Sequence, residues 1–195
     1  MTCKNARRAL TEGETALAAS MFGGAINYAQ VRLSRRKWAF FQPRDTVMAP
    51  RGCIHFHPKG DLWCDDFAHA NLTLQGLFVH EMTHDWQHQR GVFLPLARHP
   101  WCRYDYAFRP GVALHRYGIE QQGEIVRHAF LLRAGATVAG APPLAQYESV
   151  LPFVPGRRPT PAVIPTKVGT QSNLACRLWL WVLTFVRMTD GIQSR

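Results

Sequence analysis

The stretch LFVHEMTHDWQHQRG, residues 77 to 91, constrains this chain more than any other. Leu74, Leu77, Phe78, Met82 and Trp86 recur at three- and four-residue spacing, the period of an amphipathic helix. Asn71 is a suitable N-cap and Gly91 a suitable stop, so the pattern predicts a helix from about 72 to 90. Within it lies H-E-x-x-H. His80 and His84 fall one turn apart on one face, where two imidazole nitrogens can reach the same ion. The competing reading is a solvated helix rich in histidine, and the chain does carry 9 of them.

The chemistry of the pattern is zinc chemistry. Two histidines supply two corners of a tetrahedral Zn2+ site, and Glu81, beside the first, can take a proton from water held there. His88 continues the stripe but cannot join. It lies two turns from His80, about 12 Å along the axis, against metal bonds of about 2 Å. A third ligand must come from elsewhere. GIEQQGEIV offers Glu120 and Glu124, four apart in a segment of helical spacing. One can bind the ion while the other holds a ligand histidine by its second nitrogen. The alternative is a pair of solvated glutamates near Arg127. No H-x-x-G-x-x-H continuation follows His84, which sets aside the metzincin arrangement.

The remaining pattern is that of an α+β domain. Thr11 to Glu14 form a capping box, followed by Ala16, Leu17, Met21 and Phe22 at helical spacing and stopped at Gly23-Gly24. AQVRLSRR alternates as a strand with one wet face. TVMAPRGCIHFHP is a second extended segment, with Cys53, His55 and His57 sharing one side and Ile54 and Phe56 the other. Residues 92 to 116, rich in proline and aromatics, predict a long ordered loop. Ile119, Ile125, Phe130 and Leu131 are core candidates of a second helix. Proline then interrupts the pattern repeatedly, which places the domain at residues 1–155 and a tail at 156–195.

Charge and cysteine content limit the function classes. The net charge is +10, a surplus that attracts nucleic acid, anionic lipid or an acidic partner. The arginines are dispersed, and only RLSRRK at 32 to 37 is a cluster. With no zinc finger and no nucleic-acid-binding motif, a nucleic-acid partner is not expected. Five cysteines, widely spaced and without C-x-x-C, argue against a disulfide framework or a cysteine-built zinc site. The N-terminus lacks the apolar run of a signal peptide, and LACRLWLWVLTFV is too short and too charged to span a bilayer. The expectation is synthesis in the cytoplasm with no membrane span, and export, where it occurs, by a specialised secretion system.

FVHEMTHDWQHQRG followed by YGIEQQGEIV resembles a family of bacterial zincin-like domains, often labelled Vgr-related or Rhs-associated, that carry HEMTHVWQ and EQQAEI. LTEGETALAASMFGGAINYAQVRL and MAPRGCIHFHP resemble the opening of the same domains, so the resemblance runs from about residue 9 to about 132. It implies a zincin-like α+β fold, with the motif helix beside a small mixed sheet and a second helix carrying the glutamate ligand. It further implies bound zinc, metallopeptidase activity on a peptide or protein substrate, and a link to type VI secretion. On this resemblance Glu120 joins His80 and His84 on the metal, and Glu124 supports them. Asp85 stands where the family often has valine, and His128 where an acidic residue often sits. Those departures keep open an alternative, a catalytically inactive binding or adaptor module. Tyr106, His115 and Tyr117 are candidate oxyanion donors by position alone, with aromatic packing as the competing role. AVIPTKVGTQ and WLWVLTFVRMTD resemble a translated intergenic repeat, which predicts a tail without a fold of its own.

Overall fold

The computed structural model describes residues 7–94 and 104–153. The tail after 153, with its repeat-like peptides, lies outside the described residues. So do part of the 92–116 loop and the first residues of the chain.

The described chain is mixed α/β with a small sheet. Strand β1 is Arg7–Arg8, helix α1 is Glu12–Phe22, and strands β2 and β3 are Arg32–Ser34 and Cys53–His55. Helix α2 spans Leu72–Gln89, α3 spans Ile119–Arg133 and α4 spans Leu144–Val150. The sheet order is β1-β2-β3; β1 runs antiparallel to β2, and β2 parallel to β3 with Leu33 opposite Ile54. A parallel pair needs a long crossover, which the 35–52 connection provides without a helix.

The capping box of α1 forms. Thr11 accepts from Glu14 N at 2.9 Å, and Glu14 accepts from Thr11 N at 2.9 Å. Glu14 does more than cap. Wholly buried, it takes a bidentate contact from Arg8 at 2.7 Å twice and accepts from Phe67 N at 3.1 Å. One carboxylate thereby ties β1, α1 and the turn before α2 together.

The AQVRLSRR strand is shorter than its pattern predicts, and the wet face is incomplete: Arg32 is half-buried and Ser34 buried. Only Arg32–Ser34 is extended, and Leu33 and Ser34 are both buried. All of Cys53–His55 is buried too. β3 is paired along both edges: Phe56 N donates to the Ser34 carbonyl at 2.8 Å, and on the other edge Met48 bridges His55 and Gln42 donates to the His55 carbonyl at 2.9 Å. His57, expected on the same side as Cys53 and His55, lies beyond the strand and is not buried. The segment 144–150, read from its prolines as irregular, is helical. Pro143 sits just outside the first turn, where its missing N–H costs nothing.

Helix α2 is the axis of the domain. Asn71 caps it, accepting from Leu74 N at 3.0 Å. Phe56, Phe67 and Phe78 stack in series at 5.3 Å spacings, fastening the sheet side to α2. Gly76 lets α3 approach closely, since a β-carbon there would lie 3.2 Å from Leu131. Trp86 meets Phe153, which also packs on Phe22, so the segment after α4 closes the core between α1 and α2. The result is an α2 buried on nearly every side from Phe78 to Gln87.

Candidate metal centre

The histidines of α2 do not face solvent. His80 is 4% exposed and His84 is fully buried. Their rings stand 5.0 Å apart, and both Nε2 atoms turn towards α3. There Glu120, in the first turn of α3 and 1% exposed, brings Oε2 to 3.3 Å from His80 Nε2 and 3.2 Å from His84 Nε2. The two Nε2 atoms are themselves 3.2 Å apart. The first-turn position also favours a negative charge at Glu120, because the free amides of a helix N-terminus carry partial positive charge.

These three distances form a nearly regular triangle. A tetrahedral ion with bonds of about 2.0 Å has ligand–ligand edges of about 3.3 Å. The donor set of two imidazoles and one carboxylate suits zinc. Among the described residues His80, His84 and Glu120 are the group whose ligand atoms converge in this way. Glu81, 4% exposed, lies close enough to act on the charge of His80, and its Oε2 is buried without a hydrogen-bond partner in the protein. An orphaned carboxylate oxygen beside three convergent ligands fits a centre that holds an ion and water.

Each candidate ligand histidine has a polar neighbour at its other nitrogen. His84 Nδ1 lies 2.9 Å from Gln87 Oε1, an acceptor, so the ring carries its proton on Nδ1 and keeps the Nε2 lone pair free for the site. Gln87 is fixed in turn, donating to the Ile119 carbonyl at 3.2 Å and to Gln122 Oε1 at 3.0 Å. His80 Nδ1 lies 2.9 Å from Glu124 Oε1, an ion-pair distance, with the N–H direction off that line. Glu124 also meets Arg127 at 3.2 Å and His128 at 3.5 Å. Burial opposes the His80 charge, but its contacts with Glu120 and Glu124 outweigh that and raise its pKa to about 9 in the metal-free protein. Burial likewise acts to raise the Glu124 pKa, and His80 and Arg127 bring it below the usual carboxylate value.

The other singled-out residues have different places. Tyr106 Oη is 2.6 Å from His128 Nδ1 and 2.8 Å from Tyr147 Oη, behind Glu124 rather than at the ligand triangle. Tyr117 is buried and bonds the backbone of Arg109. His115 is exposed on a 3-10 turn. His88 packs against Gly52, away from the triangle. Asp85 is fully buried, and neither carboxylate oxygen has a hydrogen-bond partner. Burial, then the nearby Glu81, pushes its pKa well above the usual value, so the carboxyl is held towards its neutral form.

Sequence reasoning passed over two residues. Gln87 was visible as a polar side chain three positions after His84, the spacing that shares a helix face. Gly123 gave no signal, because its role is to leave room for a ring on another helix. Beside the centre, Tyr104, Tyr106, Phe108, Glu124, His128 and Tyr147 line a cavity of about 310 Å³. Tyr104 stacks 6.2 Å from the His80 ring, so the cavity reaches the ligand shell through Glu124 and Tyr104.

Fold and cluster together define a small α/β domain with a candidate metal centre between two helices. The solved effector domain of Pseudomonas aeruginosa VgrG2b superposes with a TM-score of 0.61 at 42% identity, covering 73% of this chain and 80% of that domain. The chain belongs to the VgrG2b effector-domain family. It is also 46% identical over 136 residues to the type VI secretion system spike protein VgrG2b of P. aeruginosa strain PAO1. That match covers 65% of this chain and 13% of the spike protein's length. No protein-family model matches the chain.

Proposed function

We propose that this domain is a zincin-like, zinc-dependent hydrolase acting on a peptide or protein substrate, within or alongside a type VI secretion system. The observation that carries the reading is the 3.2, 3.2 and 3.3 Å triangle of His80, His84 and Glu120, with the unpartnered Oε2 of Glu81 beside it. Zinc in such a site supplies a Lewis acid and brings the pKa of water from about 16 to about 7.

The chain's own residues do the rest. Glu81 Oε2 accepts the proton of the attacking water and passes it to the leaving amine. Its burial excludes bulk solvent, which strengthens its electrostatic action on the reacting atoms. Gln87 and Glu124 keep the two imidazoles aimed. The aromatic cavity beside His80 provides a wall for a substrate side chain next to the scissile bond.

A second reading is an inactive binding or adaptor module. It draws on Asp85, a buried carboxyl beside Glu81 with no partner. One experiment separates the two. Zinc content and peptide cleavage are measured on the full chain and on His84→Ala, Glu120→Ala and Glu81→Gln. The hydrolase reading expects zinc lost in the first two, and retained in the third with turnover down at least about a hundredfold. A zinc-loaded wild type indifferent to Glu81→Gln leaves the adaptor. A folded, zinc-free wild type removes the metal centre itself.

A further inference from the structure

The connection from β2 to β3 carries an exposed aromatic turn. Of the large hydrophobic side chains exposed among the described residues, Phe40 is the most exposed at 84%, and Trp38 in the same turn is 40% exposed. Neither belongs to the core or to the metal centre. Water is a poor environment for such side chains, and the turn is nonetheless built to hold them there. Gln42, 3% exposed, accepts from Trp38 N at 2.8 Å and donates to the carbonyls of Thr46 and His55 at 2.8 and 2.9 Å. Lys37 Nζ donates to the Phe40 carbonyl at 2.7 Å, and Gln42 N to that of Ala39 at 3.1 Å. A buried amide that places its hydrogen bonds on this loop fixes the turn before any partner arrives, so docking loses little conformational entropy.

Cations surround the aromatics. Arg35 and Lys37 precede the turn and Arg44 follows it, all exposed. Lys59 joins them from the next loop, because Gly60 packs directly on the Arg44 carbonyl with no space for a β-carbon. The proximity shows at His57, whose pKa is lowered by local desolvation and then by Lys37, Arg44 and Lys59. Asp45 and Asp61 are the carboxylates next to this collar in the sequence.

We propose that the Trp38–Phe41 turn is a docking surface for an anionic lipid bilayer. An apolar tip ringed by cations matches the bilayer interface, where aromatic side chains sit at headgroup depth and each lysine or arginine near an anionic surface contributes about 1 kcal/mol. Nucleic acid, the other polyanion, is matched less well. Phe40 and Phe41 meet edge to face at 86°, so they do not offer the parallel platforms on which successive bases stack. No helix among the described residues is long and apolar enough to cross a membrane.

The test is vesicle flotation of the full chain with phosphatidylcholine vesicles, alone or with about one third phosphatidylglycerol, beside Phe40→Ser and Arg44→Glu/Lys59→Glu. Wild type floats with the anionic vesicles and less with neutral ones. Phe40→Ser weakens that binding at least about tenfold, and the charge reversal abolishes it, with melting temperatures near that of wild type because the side chains are exposed. No flotation of folded wild type, or flotation indifferent to Phe40→Ser, overturns the proposal. So does binding to a single-stranded oligonucleotide that is tighter than vesicle binding and equally dependent on Phe40.

Discussion

A β-carbon on Gly123 would stand 2.7 Å from Cε1 of His80. The glycine on α3 therefore makes the space in which the first histidine of α2 lies. Gly123→Ala is expected to push the His80 ring off the triangle and weaken zinc binding about 10- to 100-fold. Alanine is otherwise favoured over glycine in a helix by about 1 kcal/mol, so the helical circular dichroism signal should persist. Zinc affinity equal to wild type would show that the ring has another place to go.

Gln87 and Glu124 contact the far nitrogens of the two proposed ligand histidines. Gln87→Leu and Glu124→Gln are each expected to cost about 10- to 100-fold in zinc affinity, against complete loss in His84→Ala. Competition with a colorimetric chelator measures all three. A Glu124→Gln protein as empty as Glu120→Ala would make Glu124 a direct ligand.

On the proposed reading, zinc and a proton compete for His80. The pKa of about 9 in the metal-free protein lies above the ordinary 6.5. The proton's contribution to metal-free stability is thus fully present below about 6.5 and is lost as pH rises through about 9. Apparent zinc affinity should climb across the same window and level off above it. Titration calorimetry in buffers of different ionisation heat reads the released proton. A flat profile between pH 6.5 and 9 would contradict it.

Asp85 is a cost carried in the core. Its raised pKa means that stability falls as pH rises from the unfolded value near 3.8 towards the folded one. Asp85→Val removes both unpartnered oxygens and is expected to stabilise the domain by about 1–3 kcal/mol at neutral pH. The gain should shrink in acid. Urea melts at two pH values check it, and a variant less stable than wild type at neutral pH would point to an unseen partner for the carboxylate.

Arg8 and Glu14 form the opposite case, a buried carboxylate that is well paired. Arg8→Met leaves Glu14 with backbone donors alone, and a loss of about 3 kcal/mol is expected. Chemical denaturation measures it, and a loss below about 1 kcal/mol would mean that the amides of Thr11 and Phe67 suffice.

Much of the local structure was legible in residue order. The Thr11–Glu14 box, the Asn71 cap and the spacing of His80 and His84 depend on contacts within one or two turns, where helix geometry leaves few options. The same holds for Glu120 and Glu124, placed one turn apart on α3 before their partners were known. Strand reading fared worse. Alternation in AQVRLSRR implied a wet face, yet only three residues are extended and Ser34 among them is buried.

The sequence by itself determined which side chains share a helix face, because that follows from the 3.6-residue period. Tertiary structure decided what each face meets. The packing of α2 on α3, separated by some 40 residues at the His80–Glu120 contact, brought Glu120 to both Nε2 atoms and Glu124 to Nδ1. It also gave Gly123 its purpose, placed Tyr106 behind Glu124, and buried Asp85 without a partner. Such outcomes depend on the separation and rotation of two helices, and residue spacing along one helix carries no record of either.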